Sequence, residues 1–146
     1  MSHFERRHRE YLISTDPDRI DVDVIHHWIS EKSYWAAGRS RKTVEASVDA
    51  SLNFGVYTDS GAMVGAARVV TDFSTFGWLC DLFVLDDHRG RGLGKALVSA
   101  VVEHPDLSGM QRIILATADA HDLYATYSFE LMANPERWME RNRPVS

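Results

Sequence analysis

The sequence contains little that is typical of a secreted, zinc-dependent or membrane-bound protein. It has a single cysteine, Cys80, among 146 residues, so no disulfide can form within the chain. Nothing resembles a signal peptide, and no apolar run approaches the ~18 residues of a spanning helix. No Cys/His cluster or His-Glu-x-x-His spacing occurs. We therefore expect a cytoplasmic protein that uses no metal and does not bind membranes.

A general excess of basic residues is also missing. The chain has 16 Lys and Arg against 21 Asp and Glu, which gives a formal net charge of -5. Sequence-independent binding to nucleic acid depends on excess Lys and Arg, so we expect no nucleic-acid partner. With 45% hydrophobic residues, the composition predicts one domain over residues 1–146 with a sizeable core. The polar residues 1–10 are candidates for a mobile start.

One short segment concentrates glycine and positive charge. The sequence of residues 88–97 is HRGRGLGKAL, and it follows the apolar run 79–85. Glycines allow unusual backbone angles and let a ligand approach the backbone closely. The first amides of a helix have no intrahelical partner and lie at the positive end of its dipole. A strand, a glycine- and arginine-rich turn and a helix therefore predict a site for phosphate.

The spacing of the glycines identifies the kind of phosphate site. A P-loop needs glycine at position 89 and Ser or Thr at 96, where this chain has Arg89 and Ala96. A dinucleotide fingerprint needs G-x-G-x-x-G, whereas the chain has G-x-G-x-G in mid-sequence. The pattern R-x-x-G-x-G, formed by Arg89, Gly92 and Gly94, resembles the acyl-CoA pyrophosphate loop of the GNAT superfamily of N-acetyltransferases.

The order of predicted elements extends this resemblance from about Tyr11 to Phe129. The predicted elements are a strand at 11–14, a helix at 21–30, a helix capped by Thr43, strands at 54–58, 63–70 and 78–85, a helix from the glycine turn to 103, a strand at 112–117, a helix at 119–127 and a strand at 129–132. The resemblance implies an α/β (α+β) GNAT fold, with a mixed, mostly antiparallel twisted sheet flanked by helices. It also implies acetyl-CoA as the co-substrate, held between the fourth and fifth strands.

The resemblance further implies which residues hold acetyl-CoA. In the family, the backbone of the fourth strand pairs with the pantetheine arm and thioester, and the glycine-rich loop holds the pyrophosphate. By position, the strand residues are Leu82, Phe83 and Val84, and the loop residues are Arg89, Gly90, Arg91, Gly92, Leu93, Gly94 and Lys95.

A candidate for the general acid follows from a second motif. Residues 123–129, LYATYSF, are similar to the family's L-Y-x-x-x-G-F element, whose tyrosine lies beside the sulfur of CoA. The resemblance implies that Tyr124 protonates the departing thiolate. Ser128 stands where the family usually has glycine, and serine resists the positive φ that such a turn needs. The alternative for Tyr124 is a half-buried aromatic side chain on a short helix.

The general base is less clearly indicated. Asp81 is a carboxylate in an apolar strand, where an unpaired charge is costly. It is a candidate base for the acceptor amine, and the alternatives are a cap for a loop or an ion pair with Arg68. Asp119 and His121 are further candidates. Cys80 is expected to be a buried small side chain rather than a nucleophile, which favours direct transfer in a ternary complex.

The acceptor side is indicated only by the loop at 31–41. The loop carries Tyr34, Trp35, Arg39 and Arg41, and its aromatics and arginines could hold a flat or anionic substrate, or Tyr34 and Trp35 could simply pack the loop onto the core. The sequence therefore predicts an N-acetyltransferase that acts on a primary amine of a small molecule, as a monomer or homodimer. A protein or peptide N-acetyltransferase and a non-catalytic acyl-CoA-binding or sensing module are the alternatives.

Overall fold

A six-stranded sheet organises the protein. A computed structural model describes residues 3–145. The strands are β1 (Glu5–His8), β2 (Tyr11–Ser14), β3 (Leu52–Tyr57), β4 (Met63–Thr71), β5 (Phe76–Val84) and β6 (Arg112–Ile114), and they lie in that order. Neighbouring strands are antiparallel except for the parallel pair β5–β6. The predicted fold class, a mixed and mostly antiparallel sheet flanked by helices, is confirmed.

Helices cover both faces of this sheet. They are α1 (Val22–Lys32), α2 (Arg41–Asp49), α3 (Leu93–Glu103) and α4 (His121–Ala125). One core cluster places Leu93 and Leu97 of α3 against β2–β5, and the other packs Ile29 and Val44 of α1 and α2 on Ala66 and Phe83. None of the described helices is long and apolar enough to cross a membrane. Each face of the sheet is thus covered by its own apolar core.

Short polar side chains begin the first two helices. The Asp21 carboxylate accepts hydrogen bonds from the amides of Asp23 and Val24, which would otherwise have no partner at the start of α1. The predicted cap of α2, Thr43, is wrong. Ser40 caps that helix instead, because its hydroxyl accepts from the Thr43 amide one turn inside the helix.

The polar N-terminus differs from the prediction of a mobile start. Residues Glu5–His8 form β1, which pairs with β2 along its whole length. Charged residues suit an edge strand, because they oppose pairing with another chain. Arg6 forms a hydrogen bond with Ser99 and an ion pair with Glu103, and these contacts join β1 to α3. Residues 1 and 2 lie outside the described part of the chain.

The C-terminal strands also differ from the prediction. The strand predicted at 112–117 ends at Ile114, and residues 129–132 form no strand. Met132 lines the same cavity as Arg112 of β6, the last strand of the sheet, but residues 129–132 form no ladder with it, and Leu131 is 83% exposed. Apolar residues near a sheet edge therefore do not by themselves make a strand.

Two fully buried tyrosines allow a matched test of this core. The Tyr57 hydroxyl has no hydrogen-bond partner among the described residues, whereas the Tyr11 hydroxyl contacts both His88 and Arg91. Tyr57→Phe should leave the free energy of unfolding unchanged or raise it, and Tyr11→Phe should lower it by about 1–2 kcal/mol. Urea denaturation of both variants checks this. An equal loss in the two would contradict it.

Candidate active site

The glycine-rich turn leaves the start of α3 open. Gly92 precedes the helix with φ +76°, and no side chain caps the helix. Gly90 also has a positive φ, +77°, and a Cβ built on it would meet nothing within 4 Å. The first intrahelical hydrogen bond runs from the Ala96 amide to the Gly92 carbonyl. The amides of residues 93–95 come before it and have no partner within the helix. This is the geometry that binds an anion.

The three basic residues of the turn do not act alike. Lys95 is exposed on the first turn of α3, and Arg89 is exposed but pairs with Asp86 at 3.3 Å. The Arg91 guanidinium instead donates to the Tyr11 hydroxyl at 2.7 Å. Leu93 is buried, so only its backbone can meet a ligand. Lys95 and Arg89 are therefore the side chains best placed to meet phosphate, and Arg91 holds the turn in place.

Residues of the β1–β2 hairpin support this turn, and the sequence analysis missed them. His8 donates from Nε2 to the Arg91 carbonyl at 2.9 Å. The Tyr11 hydroxyl accepts from Arg91 and is hydrogen-bonded to Nδ1 of His88 at 2.8 Å. Arg91 also approaches Glu10 at 3.5 Å. No motif signals these contacts, because each joins residues about eighty positions apart in the chain. They depend on the hairpin that the pairing of β1 and β2 forms.

A bulge in β5 interrupts its pairing with β4. Arg68 of β4 pairs with Cys80 and Ala66 pairs with Phe83, so Asp81 and Leu82 together face one residue of β4. Asp81 adopts φ +51°, in the left-handed region. On the other edge, the pairing of β5 with β6 ends at Trp78 and Ile114. Beyond that point β6 offers β5 no partner, so residues 82–84 are unpaired on that edge, and we term the region beside this edge the cleft.

The buried Asp81 carboxylate is the centre of a polar group that we term the Asp81 cluster, formed by Trp35, Arg39, Arg68 and Asp81. The Trp35 indole donates to Oδ1 of Asp81 at 2.9 Å. Arg68 Nε and Arg39 Nη1 donate to Oδ2 at 2.9 and 3.4 Å. The alternative of pairing with Arg68 is thus present in the structure. The role of Asp81 as base stays a prediction.

Cys80 lies beside this cluster with its thiol protonated. Burial, together with the Asp81 charge and against the opposing effect of Arg68, raises the pKa of the Cys80 thiol to about 12. A thiol with such a pKa is a poor nucleophile near neutral pH. This environment favours the expectation of direct transfer without a cysteine intermediate.

The loop between α1 and α2, residues 33–40, reaches both sides of the cleft. Trp35 bonds Asp81 on β5, and the Tyr34 hydroxyl accepts from the Ala118 amide, beyond β6, at 3.1 Å. Trp35 also packs on Trp28, which stacks on Phe83 with ring centroids 4.8 Å apart. The packing role weighed for Trp35 is therefore present, while Tyr34 is 68% exposed.

A Schellman turn holds Tyr124 at the end of α4. The Phe129 amide bonds the Tyr124 carbonyl at 3.2 Å, and the Ser128 amide bonds the Ala125 carbonyl at 3.1 Å. Ser128 has φ +70°, the conformation that the family's glycine adopts without strain. The rings of Phe129 and Tyr124 meet edge to face, 5.9 Å apart. The L-Y-x-x-x-[G/S]-F pattern thus encodes a helix end that packs the phenylalanine on the tyrosine.

The surroundings of Tyr124 keep its hydroxyl protonated. Burial raises the pKa of Tyr124 above its ordinary value, and the neighbouring Tyr34 and Asp119 add to the effect. Its helix also lies close to the glycine-rich turn, because a Cβ built on Gly94 would be 4.0 Å from Leu123. The candidate proton donor therefore lies near the start of α3.

Replacing Ser128 by glycine tests the Schellman turn. Glycine relieves the left-handed conformation of a residue with a Cβ, so Ser128→Gly should raise the free energy of unfolding by about 1 kcal/mol. Ser128→Ala is the control and should give no gain, because alanine keeps the Cβ. Thermal unfolding of the two variants measures the difference. A loss of stability on introducing glycine would show that Ser128 stabilises the turn in another way.

Comparisons with known proteins agree with the fold. A sequence profile described as the Acetyltransferase (GNAT) family matches residues 22–129. The chain is 29% identical, over 79% of its length and 76% of the relative's, to a protein of Gibberella zeae assigned as an acetyltransferase. The chain belongs to the GNAT acetyltransferase family. It is an acetyl-CoA-dependent acyltransferase, since acyl transfer from CoA is the general reaction of that family.

Solved structures show the same fold. A GNAT-family crystal structure from Xanthomonas campestris pv. campestris, assigned as an acetyltransferase, has a TM-score of 0.88 and 46% identity over 92% of this chain and 94% of that one. N-acetylglutamate synthase from Neisseria gonorrhoeae, complexed with coenzyme A and N-acetyl-glutamate, matches with a TM-score of 0.64 and 17% identity over 83% of this chain and 28% of that one. The second likeness concerns the fold alone.

Proposed function

We propose that the protein transfers the acetyl group of acetyl-CoA directly to a primary amine of a small molecule, within a ternary complex. The strongest support comes from the cleft between β5 and β6. The open start of α3 and Tyr124 both lie close to this cleft. An anion site, an unpaired strand edge and a protonated hydroxyl are the parts that a phosphorylated thioester donor requires. The single cysteine favours a cytoplasmic setting.

Each part of the cleft has a proposed role. Acetyl-CoA supplies the activated acetyl group, and the backbone of Leu82, Phe83 and Val84 binds its pantetheine arm and thioester. The amides at the start of α3, with Lys95 and Arg89, hold its pyrophosphate. The C–N bond forms as the C–S bond breaks. The amine nitrogen loses one proton, directly or through water, and Tyr124 gives one to the sulfur and regains one from solvent.

The preference for a small acceptor is supported by the loop at 33–40. Its adjacent residues Tyr34 and Trp35 bond opposite sides of the cleft, at Ala118 and Asp81, and so narrow the entrance on the acceptor side. An amine on a small molecule enters such an opening more readily than a folded protein surface. A thiol-release screen with acetyl-CoA against diverse amines tests the proposal. Acetylation of lysines or N-termini in a cell extract, with no small amine accepted, would contradict it.

The charges of the phosphate site can be tested by binding alone. Arg89→Ala combined with Lys95→Ala removes two cations near the open amides and should raise the Kd for CoA by about tenfold or more. Lys42→Ala, an exposed lysine on α2, is the control and should leave the Kd unchanged. Isothermal titration calorimetry gives both values. Unaltered affinity in the double variant would overturn the role given to these side chains.

The role of Tyr124 can be tested by its rate and pH dependence. Tyr124→Phe should lower kcat by about 10²-fold or more while the KM for acetyl-CoA stays constant, because only the proton donor is removed. Since burial raises the pKa of Tyr124, the alkaline fall in kcat of the native enzyme should lie above the ordinary tyrosine range near ~10. Tyr127→Phe is the control. A variant at position 124 with the native kcat would exclude Tyr124 as the acid.

A further inference from the structure

The Asp81 cluster contains more positive charge than its carboxylate neutralises. Two guanidinium groups, Arg39 and Arg68, share the single carboxylate of Asp81. The side chains are largely removed from solvent, with 20% of Arg39, 12% of Arg68 and 5% of Asp81 exposed. One arginine would suffice to pair a buried aspartate. The cluster therefore keeps one net positive charge in a region of limited solvent access.

The two arginines differ in how fully they are bound. Arg68 donates from Nε to Asp81 at 2.9 Å and from Nη1 to the Ser51 hydroxyl at 3.1 Å. The Arg39 guanidinium makes one contact, at 3.4 Å, and its other donors have no side-chain or backbone acceptor among residues 3–145. A guanidinium has five N–H donors, and the Arg39 nitrogens without a protein partner are reached by solvent, because none of them is a buried atom that lacks a hydrogen bond. Arg39 thus has donors available for an additional acceptor.

The available charge lies next to the proposed reaction site. Asp81 immediately precedes Leu82–Val84, the segment that we assign to the thioester. Trp35, which narrows the cleft from the acceptor side, bonds the same carboxylate. A group bound to Arg39 would therefore sit beside the acceptor, on the sheet face that packs against α1 and α2, where Phe83 stacks on Trp28.

We infer that Arg39, supported by Arg68, binds a carboxylate on the acceptor, so that the substrate is an amine that also carries a carboxylate. This inference rests on the proposed acetyl transfer. The planar fork of arginine matches a carboxylate with two parallel hydrogen bonds. One net positive charge balances one carboxylate, whereas a phosphomonoester brings close to two negative charges. The charge balance of the cluster therefore favours a carboxylate over a phosphate.

Matched acceptors test the inference on the native enzyme. Amino acids, their carboxamides and the corresponding aminoalkyl phosphates are compared as acceptors of acetyl-CoA by thiol release. The carboxylates should have a kcat/KM about tenfold or more above the carboxamides, because a charge-assisted bidentate contact is lost in the amides. Equal or better turnover of the carboxamides, or a preference for the phosphates, would overturn the inference.

Substitution of Arg39 then locates the effect. Arg39→Gln should raise the KM for the carboxylate acceptor about tenfold or more and leave the KM for its carboxamide unchanged, which removes the preference. Arg19→Gln is the matched control, because Arg19 pairs with Glu5 and Asp16 outside the cluster and outside the loop at 31–41, and both KM values should be retained. An equal loss with both acceptors would assign Arg39 a structural role and contradict the inference.

The two proposals fail in different ways. If amines are acetylated without regard to their carboxylate, acetyl transfer stands and the carboxylate site is wrong. If CoA binds and no amine is acetylated, both proposals are wrong. Should Arg39→Gln not fold, Arg39→Lys keeps the charge but loses the planar fork, and it should retain only part of the preference. A full preference in the lysine variant would contradict bidentate binding.

Discussion

The bulge at Asp81 is the constraint on which the site depends. A regular β5 would pair with β4 along its whole length, but the extra residue bends the strand and changes its direction within the sheet. The left-handed φ of Asp81 is unfavourable for a residue with a Cβ, and three hydrogen bonds to its carboxylate oppose that cost. The bulge in β5 and the binding of the loop at 33–40 thus depend on the same residue.

The functional elements converge although they come from distant parts of the chain. The helix α3 belongs to one core and the loop at 33–40 to the other, and the sheet between them sets their separation. Tyr124 joins the first of these cores as a partly buried neighbour. The groups that we propose for donor and acceptor accordingly lie on opposite faces of the sheet.

Local signals in the sequence predicted the elements of the site, and non-local ones were missed. The glycine turn, the helix after it and the tyrosine motif depend on residues that are neighbours in the chain, so their patterns can be recognised in the sequence. Ser128 has the positive φ that the motif requires. The bulge, β1 and the early end of β6 depend on which strands face one another. The strand predicted at 129–132 was wrong for the same reason, since alternation does not specify a pairing partner.

The contacts between the β1–β2 hairpin and the glycine-rich turn have a thermodynamic consequence. His8 and Tyr11 hold the turn through Arg91, so the turn is ordered before any ligand reaches it. Less conformational entropy is then lost when an anion binds. By linkage, a ligand that binds only the ordered turn must also stabilise the hairpin against fraying. The most polar strand of the sheet is in this way energetically coupled to the occupancy of the donor site.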